Sequence, residues 1–129
     1  MNSESLFSTV PKDDALSLFH GGKADFEKVV NVLEFKKKDV AKASNVSVDS
    51  VRYDDKMPKE LYDRMTEWAT AIALVGQYFK DLDKTVLWFK VPNPLLGNIP
   101  PREMIRVGRF HKLLRFIQNA LNENQRQAA

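Results

Sequence analysis

The most chemically loaded stretch of this chain is Lys36-Lys37-Lys38, followed closely by Ser47-Val48-Asp49-Ser50-Val51-Arg52-Tyr53. Three cations at the start of a helix oppose its dipole, so local helix stability does not account for them, whereas a phosphate backbone does. Arg52 has the fork geometry for a bidentate pair with guanine, and Ser50 is of a size to reach a base or a phosphate. A second group is Arg102, Arg106 and Arg109, whose spacings of four and three put them on one helical face or its end, with Lys112 and Arg115 extending the charge. An acidic protein cleft suits that group. Solvated lysines on a structural corner and solvated arginines beside a tight turn are the plain alternatives. Asp49 opposes strong DNA affinity, because it places an anion where phosphates would lie.

Catalytic and metal chemistry find little support. His20 and His111 lie far apart, and neither has a His, Asp or Glu at helical metal-pair spacing. His111 instead reads as a surface or partner-contacting residue. Asp54-Asp55 sits in a polar break, where adjacent carboxylates form turns. The absence of cysteine excludes a disulfide scaffold, a thiolate zinc site and cysteine catalysis. No phosphate-cradling glycine loop or nucleophile elbow occurs. The expectation is a cytoplasmic, cofactor-free, non-enzymatic protein without a secretory signal or a membrane span.

The elements that position these residues are helical almost throughout, which predicts an all-α fold. The stretch 24–33 puts Phe26, Val29, Val30 and Leu33 on one face. Short helices fit 37–43 and 48–53, with a turn between them. Ala41 is small where two helices would touch, Asn45 tolerates left-handed backbone angles, and Ser47 suits an N-cap. Val40, Val46 and Val51 supply the inner faces. These features make a helix-turn-helix over 23–57, with Lys36, Lys37, Lys38, Ser47, Val48, Asp49, Ser50, Arg52 and Tyr53 as its DNA-contacting residues. Pro58 then suits the first turn of a long connecting helix, 58–80, striped by Leu61, Met65, Trp68, Ile72, Val75 and Phe79. Ala69, Ala73 and Gly76 form a second row where another backbone could approach. Trp68, Trp88, Phe79 and Phe89 read as core.

Asp81 or Asp83 caps a short helix carrying Trp88 and Phe89, which Pro92-Asn93-Pro94 stops. Prolines 92, 94, 100 and 101 stiffen the following connection, which suits a docking surface. Pro101 opens another helix and Gly108 ends it. A last helix over 110–122 buries Phe110, Leu113, Leu114, Ile117 and Leu121, and the tail beyond should fray. Residues 1–22, closed by Gly21-Gly22, read as a flexible arm. Charge is uneven: the 1–22 and 54–83 stretches are net acidic, 23–53 is mildly basic, and 84–129 carries eight basic and two acidic side chains.

The run from Leu87 to Ile105 resembles the toxin-binding domain of the Xre, MbcA and ParS antitoxins of bacterial toxin–antitoxin pairs. The shared pattern is Trp88 on a short helix, Pro92-Asn93, Leu96-Gly97, Pro101 with Glu103, Gly108, and the helix from Phe110. With the upstream helix-turn-helix and long helix, the resemblance spans residues 26–121. Gly97-Asn98 departs from the two glycines often found after the leucine, and the polar tail departs from a glycine-bearing one. The resemblance implies a homodimeric antitoxin that catalyses nothing. Its C-terminal domain, 81–129, would block the active site of a cognate RES or ADP-ribosyltransferase-like toxin, and its helix-turn-helix would repress the operon. The toxin-contacting residues would be Asn93, Pro94, Leu95, Leu96, Gly97, Asn98, Arg102, Arg106, Arg109, His111 and Lys112. A stand-alone transcriptional regulator, whose C-terminal half only dimerises or docks, is the competing reading; a structural adaptor is the third.

Overall fold

The computed structural model describes residues 14–128, with side chains as far as residue 124. Its described residues form six α-helices and one two-stranded sheet, so the chain is mostly helical as expected. In order they are β1 (Phe19–His20), β2 (Lys23–Ala24), α1 (Phe26–Leu33), α2 (Lys37–Ser44), α3 (Lys59–Phe79), α4 (Leu82–Lys90), α5 (Pro101–Arg106) and α6 (Phe110–Ala128), with single 3-10 turns at Val48–Ser50 and Pro94–Leu96.

α3 is the axis. From Met65 to Gly76 every residue is buried, because α1, α2, α4 and α6 all pack against it. A helix enclosed on all sides needs apolar or self-satisfied residues all round. Thr66 and Thr70 meet that demand by donating their hydroxyls to the carbonyls of Tyr62 and Thr66, one turn back. Trp68, Leu61, Met65 and Ile72 join Phe89 of α4, Ile105 of α5 and Leu113 of α6 in a single core. The end helices also meet directly: α1 packs on α4, and α2 on α5.

The expected flexible arm over residues 1–22 is corrected from Asp14 onward; its first 13 residues lie outside those described. Leu18 is fully buried, and Asp14 accepts hydrogen bonds from the backbone N–H groups of Leu18 and Phe19. β1 and β2 pair antiparallel, Phe19 opposite Ala24, around Gly21-Gly22. Both glycines have positive φ (60° and 81°), the conformation that a tight two-residue hairpin requires. The close approach at Gly76 comes from a side chain rather than a backbone: a Cβ there would sit 2.5 Å from Cδ1 of Leu16.

Local chemistry sets the helix ends. Asp25 caps α1 by accepting from Lys28 N–H at 3.1 Å, and Asp81 caps α4 by accepting from Lys84 N–H at 2.9 Å. Val32 rather than Val30 completes the buried face of α1; Val30 is half-buried. Pro58 stands at the N-cap of α3, one residue before its first turn. The last helix does not fray after residue 122 but runs on to Ala128, since Asn-Glu-Asn-Gln-Arg-Gln contains several good helix formers.

Candidate interaction surfaces

In the basic segment 36–54, here called the head, α2 forms where a first short helix was expected. Asn45 ends α2 in the left-handed region (φ 60°), and Val46 N–H bonds back to Ala41 carbonyl at 3.1 Å. Asp39 reaches back to accept from Lys36 N–H at 2.9 Å, placing one anion among three cations in the first turn. Lys36, Lys37 and Lys38 are all exposed.

The second helix of the expected pair is a correction. Instead of 48–53, only Val48–Ser50 turns, as one 3-10 turn, and the chain is extended from Val51. Val46, Val48 and Val51 are β-branched, and Ser47, Asp49 and Ser50 compete with the backbone for hydrogen bonds, so propagation is unfavourable. Ser47 does not cap; its hydroxyl pairs with that of Ser50 at 2.7 Å. Extension at Val51 lets its side chain enter the core. Arg52, expected to be open to a base, holds Asp54 bidentately, with Nε donating to Oδ1 at 2.7 Å. That bond is the main reason the Asp54 carboxyl lies below, and the Arg52 guanidinium above, their ordinary pKa ranges. Tyr53 is half-buried and stacks on Phe26, with ring centroids 6.3 Å apart; burial raises its phenol pKa. Asp49 and Val48 remain exposed at the tip.

The second region is a closed loop built on one asparagine. The Asn93 side chain accepts from Leu95 N–H at 2.9 Å, and its carbonyl accepts from both Leu96 and Asn98 N–H at 2.9 Å. Its own N–H bonds to Ile99 carbonyl at 3.2 Å, closing the ring. Gly97 and Asn98 both adopt positive φ, 76° and 63°, so the asparagine takes up the backbone conformation that glycine most easily supplies. The ring holds Pro94 and Leu95 outward, and Leu95 is 79% exposed.

The three arginines expected to share a basic face do not contribute equally. Arg102 donates from Nη1 to Glu34 Oε1 at 3.0 Å and lies 3.4 Å from Leu33 carbonyl, so it caps the end of α1 from the other half of the chain. Lys90 approaches the same carboxylate at 3.4 Å, and Glu34 titrates below its ordinary range, chiefly through Arg102. Arg106 is held bidentately by Glu103, whose carboxyl is likewise lowered. Arg109, His111 and Lys112 are exposed, and no ion pair to them occurs among the described residues. On α6, Lys112, Phe116 and Ala120 follow at four-residue spacing, so the basic start and the apolar middle of the helix share one stripe.

Two features escaped the sequence reading. Glu67 is buried within α3, 2.7 Å from Arg64 Nε, and burial raises its carboxyl pKa despite the nearby charges of Arg64 and His111. Only the i,i+3 spacing to Arg64 hinted at it. The other is an apolar groove of about 270 Å³ between the C-terminal half of α3 and the middle of α6, lined by Val75, Phe79, Trp88, Ile117, Leu95 and Leu121 among others. Phe79 and Trp88, expected in the core, are half-buried here, while Trp68 and Phe89 are indeed core. Among the described residues no group of three or more His, Cys, Asp or Glu gathers for a metal, and no helix is long and apolar enough to cross a membrane. Searched against family models, curated proteins and solved structures, the chain matches none.

Proposed function

We propose that this protein is an antitoxin-type inhibitor that docks on a partner protein through the loop Asn93–Asn98 and the exposed start of α6. The observation that carries the reading is Leu95, 79% exposed on a ring of backbone bonds that holds it out before any partner arrives. A large apolar side chain held out in this way loses little entropy on docking, as an interface anchor should. Pro94, Leu96, Gly97 and Asn98 shape that ledge, and Arg109 and Lys112 add exposed cations, with the exposed ring of His111 between them. A cleft with acidic residues is the matching surface, and a nucleotide-consuming toxin of the RES or ADP-ribosyl-transferring kind is the partner that the antitoxin resemblance suggests. Arg102 and Arg106, already held by glutamates, act in this reading as braces of the ledge.

The head takes the second role, binding promoter DNA. Lys37 and Lys38 would contact phosphates, while the single turn at Val48–Ser50 offers little surface for reading bases. The protein-binding role therefore leads. In co-expression with the product of the adjacent reading frame, the full chain is expected to capture that product, and Leu95→Asp to lose it while keeping the wild-type melting temperature. Capture that is indifferent to Leu95→Asp would move the interface elsewhere. A cut after Phe79 is a poor substitute, because it removes Phe89, Ile105 and Leu113 from the common core.

A further inference from the structure

We infer that the apolar groove between α3 and α6 is the seat of this chain's own N-terminal segment, with Leu6, Phe7 and Val10 as the anchoring side chains. At about 270 Å³ the groove is smaller than most small-molecule sites, which run from about 300 to 1,000 Å³, and its walls are carbon rather than a set of converging polar groups. Such a site takes side chains better than a metabolite. Tyr78, 54% exposed on its wall, leaves apolar surface that a covering segment would remove from water.

The position of the described chain's first residues supplies the argument for this occupant. Leu16 lies on Gly76, next to Val75 and one turn from Phe79, both of which line the groove. The Lys28 ammonium ties the Leu16 carbonyl in place. Thirteen residues precede Asp14, and among them Leu6, Phe7 and Val10 stand as an apolar group amid Ser, Thr, Asn and charged residues. At about 3.3 Å per extended residue, Val10 can lie up to about 13 Å from Asp14 and Leu6 up to about 26 Å. Tethering decides between this segment and a second copy of the chain: a short linker gives an effective concentration on the order of millimolar, above that of a protein at ordinary dilution. Asn93 and Leu95 belong to both the groove and the ledge, so the seated segment borders the surface a partner would grip.

The chain has no cysteine, so engineered pairs report cleanly. In the full-length protein, Phe7→Cys with Ala120→Cys, in the groove's lining, is expected to form a disulfide within one molecule at least about tenfold faster than Phe7→Cys with Asp49→Cys at the head. Equal rates overturn the inference. So does a disulfide joining two molecules, which would make a second copy the occupant. Phe7→Asp supplies an independent reading that needs no cross-link and no core change. Trp68 is 1% exposed, so a red shift in tryptophan emission reports Trp88 losing its cover, and unchanged emission overturns the inference. Both measurements use the isolated protein, so they stand or fall apart from the partner-docking reading.

Discussion

The head, residues 36–54, and the ledge, residues 93–112, are both basic and both turn on an asparagine, yet they spend their charges differently. In the head the lysines are exposed while the arginine is paired: Lys36, Lys37 and Lys38 face solvent, and Arg52 is engaged with Asp54. In the ledge two of three arginines are engaged, Arg102 with Glu34 and Arg106 with Glu103, while Arg109 and Lys112 face solvent. The asparagines differ too. Asn45 only ends a helix in the left-handed region, whereas Asn93 closes a ring of four hydrogen bonds that projects a leucine. The contrast teaches that a basic residue's availability depends on its neighbours' carboxylates rather than on its own type. It also separates a surface suited to a polyanion from one with an apolar anchor.

The largest expected effect tests whether the two regions are separate units at all. Phe89→Ala empties the centre of the shared core and should cost roughly 3–5 kcal/mol. The expected outcome is one cooperative transition shifted as a whole, read by circular dichroism; a biphasic melt would mean that head and ledge unfold apart. Next comes Leu95→Asp, which should weaken partner capture by on the order of 2 kcal/mol or more while moving stability by less than about 0.5 kcal/mol. Lys37→Ala with Lys38→Ala should reduce DNA binding and its salt dependence without changing capture, checked by titration at several salt concentrations. If capture also falls, the two basic regions act as one surface.

Smaller effects sharpen the asparagine comparison. Asn98→Val places a β-branched side chain at φ 63° and should cost about 1–2 kcal/mol, whereas Asn98→Gly should be near neutral, compared by denaturant midpoints. Smallest is the pH response. Glu34, Asp54 and Glu103 titrate below their unfolded values, so their contribution is present above the ordinary carboxylate range and fades as pH falls through the lowered folded values. Glu67 has the opposite sign. Its folded value is raised, so protonation relieves a cost as pH falls through that value toward the ordinary one. Glu67→Gln should therefore flatten the stability profile on the weakly acidic side, measured by thermal melts across pH, while leaving the acid limb in place.

Periodicity and caps were legible in the linear chain because they depend on neighbours three or four residues away. The bounds of α3, the left-handed Asn45, the stop at Pro92, the start at Pro101 and the turn at Gly108 all follow from local sterics and hydrogen bonding. The second helix of the head misled because low propensity over Ser47–Ser50 weighed against a motif pattern, and burial of Val51 favoured extension. Packing decided the rest. Residues 14–22 gain order because Leu16 and Leu18 find α3 and the core, which no local rule foretells.

What the amino-acid order determined alone is therefore most of the helices and their caps, and the stiff proline-rich connection carrying Leu95, but neither a helix over 48–53 nor the end of α6. Those rest on short-range torsional and capping preferences. Tertiary structure decided which charges are free, that Glu67 lies buried, and that Trp88 lines a groove rather than filling the core. Each of those depends on partners brought together from distant parts of the chain, as Arg102 meets Glu34 across 68 positions, and burial and Coulomb attraction act through space, whatever the sequence separation.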